Sequence, residues 1–181
     1  MPTPTLVQIN TSKGGMPKLP VADPARVTVD GVEGDWQKNR KYHGGSNRAI
    51  CLFSEELYAA LAEKGAPLLA NGSVGENFTT RGLDLQQLKK GDRLHFGDES
   101  TGVTIEITDV RVPCRNLKKW DAELPELIVG QSGWVCKVVK EGTVTAGDVA
   151  QKVGKDGRPM NNEGPGSNAK SITKSTERVG H

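Results

Sequence analysis

The side chain best placed to do chemistry is a cysteine set among cations. It is Cys114, in Arg111-Val112-Pro113-Cys114-Arg115-Asn116-Leu117-Lys118-Lys119. The thiolate is the form of cysteine that attacks electrophiles and binds soft metals, and nearby positive charge favours it. Arg111, Arg115, Lys118 and Lys119 supply that charge. The plainer role of an isolated cysteine, a small buried hydrophobe, stays open at this point. Three glycine-bearing stretches are further candidates: Lys13-Gly14-Gly15, His43-Gly44-Gly45 running into Arg48, and Gly72-Ser73-Val74-Gly75-Glu76-Asn77-Phe78. Glycine pairs let the backbone approach a ligand and turn N–H groups toward an anion. His43 can donate, accept or ligate a metal, Arg48 can clamp a phosphate, and Asn77 offers both donor and acceptor to a heterocycle. Each stretch taken alone also reads as an ordinary turn.

Elements that could position these groups follow from periodicity. Leu6-Val7-Gln8-Ile9 and Val27-Thr28-Val29 read as strands, and Ala49-Ile50-Cys51-Leu52-Phe53 as a strand buried on both faces. Ser54 can cap a helix with Glu55 and Glu56 in its first turn and Gly65 at its stop. A second short helix is expected over 85–89. Residues 93–96, 103–108, 134–138 and 143–145 read as further strands. Pro113 cannot donate to a sheet ladder, so the 103–108 strand should end near it and present Cys114 on a loop. Residues 31–47, rich in Gly, Asp, Asn and Lys, form a long loop of the kind that often carries function. Cys51, Cys136 and His95 fall in strand patterns and read as structural. No Cys-x-x-Cys, His-x-His, Gly-x-Ser-x-Gly or P-loop spacing occurs.

Composition sets the frame. A chain of 181 residues suits one domain with an appendage. Aromatics at 4% argue against a stacking platform for single-stranded nucleic acid, and the net charge of +2 is uneven, +3 on residues 152–181 and −1 on the body, which leaves the body no electrostatic footprint for nucleic acid. No apolar run approaches the roughly 20 residues of a membrane span, and the first residues lack the pattern of a signal peptide. Three widely spaced cysteines make no disulfide framework, so a reducing, cytoplasmic setting is expected. From Val153 onward, clusters of Gly, Ser, Asn and Lys replace core-forming side chains. The expectation is therefore a domain over 1–152 and a disordered basic tail over 153–181.

Taken together, four segments resemble the MOSC domain, the module named after the C-terminal part of molybdenum-cofactor sulfurases. They are Ser12 to Pro20, His43-Gly44-Gly45 through Glu55, Gly75-Glu76-Asn77-Phe78, and Pro113-Cys114. Gly133-Trp134 through Ala146-Gly147-Asp148 resembles the family's closing segment, so the likeness runs over about residues 5–150. The resemblance implies a mainly β fold, a closed or nearly closed β-barrel with one or two short helices. It implies that Cys114 is the functional cysteine, as ligand to molybdenum in a molybdopterin-type cofactor. Lys13, His43, Arg48, Asn77 and Arg111 are then the expected cofactor contacts. The implied reaction is reduction of small N-hydroxylated substrates, with electrons from a separate donor. The alternative is a sulfur carrier holding a persulfide on Cys114, charged by a separate cysteine desulfurase, since the chain shows no pyridoxal-phosphate site of its own. Neither reading involves nucleic acid or a membrane.

Overall fold

The computed structural model describes residues 2–36 and 44–160. Among the described residues eleven strands run in chain order: β1 (Thr5–Thr11), β2 (Leu19–Pro20), β3 (Ala25–Thr28), β4 (Gly31–Val32), β5 (Ile50–Ser54), β6 (Phe78–Arg81), β7 (Arg93–Phe96), β8 (Val103–Val110), β9 (Trp134–Lys140), β10 (Gly142–Val144) and β11 (Ala150–Val153). Helix α1 (Glu55–Glu63) follows β5, and the single-turn α2 (Leu124–Leu127) precedes β9. Eight strands form one sheet in the order β11-β7-β8-β9-β5-β6-β1-β2, and β10-β3-β4 form a second. All pairings are antiparallel except β5 with β6. The helix between those two strands provides the crossover that a parallel pair requires.

Local chemistry explains the elements. Ser54 Oγ accepts from Leu57 N at 3.2 Å to cap α1, and Gly65 ends it with φ 98°. Leu57, Tyr58 and Leu61 turn inward, where Tyr58 meets Phe53 edge-on at 4.8 Å. Leu94 and Phe96 are fully buried. His95 points away from them, its Nδ1 2.9 Å from Thr104 Oγ1 and its Nε2 3.0 Å from Asp98 O. The segment expected to be helical over 85–89 is only a 3-10 turn, Leu85–Gln87, capped by Asp84.

The closed barrel is corrected: the eight-stranded sheet is open, with β2 and β11 at its two ends. Its end regions meet at one isolated bridge, Thr5 with Val149, where Leu6 N donates to Asp148 O and Ala150 N to Pro4 O. No continuous ladder joins them among the described residues. Strand count and alternation are visible in a sequence, but closure also depends on tilt and stagger, which are not.

Ordered backbone continues past the expected boundary at Lys152. Val153 is 4% exposed and bridges Pro159, and Met160 N donates to Lys152 O. The rest of the expected tail lies outside the described residues. Ending the chain after Lys152 is expected to lower the melting temperature by about 5 °C, through the lost burial of Val153. Ending it after Met160 should leave the value within about a degree or two. Equal melting temperatures for the two truncations would show that the returning turn adds nothing. None of the described helices is long and apolar enough to cross a membrane.

Candidate functional site

Cys114 lies where the chain leaves β8. Arg111 N donates to Gly133 O at 3.0 Å and Ser132 Oγ donates to Arg111 O, so the exit from β8 is pinned to the start of β9. Cys114 then caps the 3-10 helix Arg115–Lys119, its Sγ accepting from Asn116 N at 3.5 Å. The turn is anchored by Leu117, which is buried. The thiol is half-buried, presented on a loop as the proline predicts.

Two other loops are tied to this segment. Arg111 Nη2 donates to Val74 O and Trp120 Nε1 to Ser73 O at 2.9 Å, both in the Gly72–Asn77 turn. Lys119 Nζ donates to Met16 O at 2.7 Å, in the Ser12–Lys18 loop. A side chain at Gly75 would touch both Arg111 and Met16, so the three segments converge there. Arg111 Nη1 is fully buried and has no hydrogen-bond partner among the described residues. A buried donor on a permanently charged guanidinium is costly to leave unmatched, and it suits an incoming acceptor.

The Gly72–Asn77 turn is built on a buried carboxyl. Glu76 accepts from Gly72 N at 2.7 Å, Thr79 Oγ1 at 2.8 Å and Tyr58 Oη at 2.9 Å, while Tyr58 Oη accepts from Val74 N. Burial holds the Glu76 carboxyl above the usual carboxylate range, and burial together with the Glu76 charge pushes the Tyr58 phenol up. Because the folded-state pKa of Glu76 is raised, its contribution to stability is full below the unfolded-state value and is lost as pH rises through the folded one.

The expected contact residues divide. Arg111 stands in the convergence itself. Lys13 is exposed on the turn at Ser12–Met16, where Ser12 Oγ bonds Gly15 O. Arg48 is half-buried in a 3-10 turn whose Asn47 O accepts from Thr108 Oγ1 at 2.6 Å, near the exit of β8. His43 lies outside the described residues. Asn77 is fully buried: its Oδ1 accepts from Cys51 N at 2.9 Å and its Nδ2 donates to Asn10 O and Asp35 Oδ2. Both ends of that amide are engaged within the protein, so it braces the loops. Reading the sequence missed Glu76, Tyr58 and Trp120, whose roles come from partners distant in the chain.

The other thiols differ from Cys114 in setting. Cys136 is fully buried, and burial with Cys51 nearby pushes its thiol well above the ordinary range. Cys51 is half-buried in β5. Native-state alkylation is expected to modify Cys114 first and Cys136 last, since access and thiolate fraction set the rate. Mass-spectrometric mapping that found Cys51 or Cys136 modified before Cys114 would remove Cys114 as the reactive thiol.

Comparison with known proteins fits this arrangement. The chain is 32% identical over 136 residues to protein YiiM of Escherichia coli, covering 71% of this chain and 59% of that protein. It is 31% identical over 137 residues to YflK of Bacillus subtilis, covering 74% of this chain and 60% of that one. It therefore spans less than two thirds of the length of these curated relatives. A protein of Gibberella moniliformis named a reductase is 30% identical over 132 residues, which are 69% of this chain and 23% of that protein. The crystal structure of YiiM from Geobacillus stearothermophilus superposes with a TM-score of 0.66 at 26% identity, covering 83% of this chain and 75% of that one. The model of the MOSC domain matches residues 39–151, ending within β11 and leaving the Ser12–Pro20 segment outside it. On that match the chain belongs to the MOSC domain family.

Proposed function

We propose that this protein binds a molybdenum cofactor of the molybdopterin type, with Cys114 as the protein's ligand to the metal, and reduces small N-hydroxylated substrates. The observation that carries this reading is the half-buried Cys114 thiol on the same loop as Arg111, whose buried Nη1 lacks a partner among the described residues. Among the described residues no group of three or more His, Cys, Asp or Glu could hold a metal. A metal at Cys114 thus needs its remaining ligands from the group that carries it, which a pterin dithiolene provides. A soft thiolate suits such a centre. Arg111 Nη1 can donate to an anionic or carbonyl oxygen of the cofactor, and exposed Lys13 and half-buried Arg48 can add positive charge. Asn77 does not fit as a direct contact, because its amide is already spent.

When bound, the cofactor supplies the two-electron redox centre at which the N–O bond is cleaved. The protein's role is to hold the thiol, bind the charged periphery and limit water. Each turnover consumes two electrons and two protons, releasing the amine-type product and water, so a separate electron donor is required. The relative named a reductase supports a redox role, though the match covers only 23% of it. The test is elemental and mass-spectrometric analysis of protein made in a cofactor-competent host. Molybdenum and pterin near one per chain support the reading. Metal-free protein that accumulates persulfide on Cys114 would overturn it in favour of a sulfur carrier.

A further inference from the structure

A buried ion pair near the site has no role in the chemistry above. Lys18 and Asp35 meet at 2.5 Å with side-chain exposures of 7% and 6%. Burying two charges is a poor way to gain stability, since desolvation consumes most of the attraction. Its other use is to enforce one arrangement of the chain segments that carry the charges. The contacts here suit that use.

Asp35 is shared by two of the three segments that converge at the site. Its Oδ1 accepts from Ser12 N at 2.9 Å and its Oδ2 accepts from Lys18 Nζ, at opposite ends of one loop. The same Oδ2 accepts from Asn77 Nδ2 at 2.9 Å, at the end of the glycine turn. Lys18 N, in turn, donates to Gly72 O at 2.9 Å. Each loop held by Asp35 is also held by the Cys114 segment, through Met16 O on one side and Ser73 O and Val74 O on the other. The carboxylate thus closes a triangle of three segments without lying on the segment that bears the thiol.

We propose that Asp35 is a positioning residue for the Cys114 site, its carboxylate setting the spacing between the Ser12–Lys18 loop and the Gly72–Asn77 turn on which that segment is seated. The proposal rests on Cys114 being the functional cysteine, and it holds whether the thiol binds metal or carries sulfur. It requires that site geometry and stability come apart. Asp35→Asn leaves the Lys18 ammonium buried without a counter-charge. The double variant Lys18→Met/Asp35→Leu removes both charges and relieves that penalty, yet still deprives Ser12 N of its acceptor and leaves Asn77 Nδ2 with Asn10 O alone.

The experiment compares wild type, Asp35→Asn and the double variant in three measurements: melting temperature, the rate of Cys114 alkylation by iodoacetamide against pH, and molybdenum retained per chain. The double variant is expected to regain much of the stability lost in Asp35→Asn. Its alkylation profile should remain displaced from wild type, and its molybdenum retention should fall by about tenfold or more, the size of effect seen when outer supports of a ligand are removed. Should Asp35→Asn fail to fold, the double variant alone carries the test. Recovery of both the wild-type melting temperature and the wild-type alkylation profile in the double variant would overturn the proposal, leaving a pair that matters only for stability. If wild type holds no molybdenum, the cofactor reading fails while the alkylation profiles still decide the role of Asp35.

Discussion

Cys114→Ser is expected to abolish molybdenum retention while leaving the melting temperature within about 1–2 °C of wild type. A serine hydroxyl is a poor replacement for a soft thiolate, so the metal loses its protein ligand. The fold has little to lose. The thiol is half-buried, and its hydrogen bond is a 3.5 Å contact from Asn116 N that a hydroxyl can also accept. Metal content and melting temperature measured on one preparation separate ligand loss from unfolding. Full molybdenum occupancy in Cys114→Ser would show that another group holds the metal. The companion substitution Arg111→Met should weaken retention more mildly, by roughly 1–3 kcal/mol for a lost charge-assisted bond.

The largest stability effect should come from Gly72→Ala. Gly72 has φ 90°, and a Cβ there would lie 2.1 Å from Lys18 O and 3.3 Å from the Asn10 side chain. The backbone carbonyl cannot retreat cheaply, because the same residue's N–H is bonded to Gly72 O. Moving the turn instead draws Gly72 N away from the buried Glu76 carboxyl. A loss of about 3–5 kcal/mol is expected, combining a left-handed backbone with overpacking and a broken buried bond. Gly34→Ala is the control: its φ is 86° but its Cβ would meet nothing within 4 Å among the described residues. It should lose only about 1 kcal/mol, the cost of the backbone conformation alone. Denaturant unfolding of the two variants decides the matter, and equal losses would mean that the Lys18 contact does not constrain the turn.

How far the sequence revealed this molecule depends on the kind of signal each region leaves. β1, β5, β7, β8, β9 and α1 show plainly, because apolar periodicity or a cap is local. β6 left no such trace. Phe78-Thr79-Thr80-Arg81 reads as polar, yet both threonines are fully buried. Their hydroxyls are satisfied by the Glu76 carboxylate and Phe53 O, partners that hydropathy cannot register. The site divides the same way. Cys114 stands out through its proline and its neighbouring cations, all within a few residues. Structure changes the role of Lys119 among those cations, since it is committed to Met16 O, while Arg111 is held to Val74 O through Nη2 and keeps Nη1 unmatched among the described residues. Asn77 has the chemistry of a ligand contact and is used as a brace. Lys18 and Asp35 give no sign of each other until the fold brings them together.

The bridge between Thr5 and Val149 has a consequence for how the molecule is made. β1 lies between β2 and β6 in the sheet, yet its first residues complete their bonding with Asp148 and Ala150, near the other end of the described chain. Closing so large a loop costs entropy before any contact repays it. Folds dominated by such distant pairings form slowly. During synthesis the N-terminal strand must therefore wait, one edge of its backbone unsatisfied, until nearly the whole domain has left the ribosome. An exposed strand edge in that interval can pair with another chain. For β1 that interval closes only when residues 147–150 have been made and can bond its first residues.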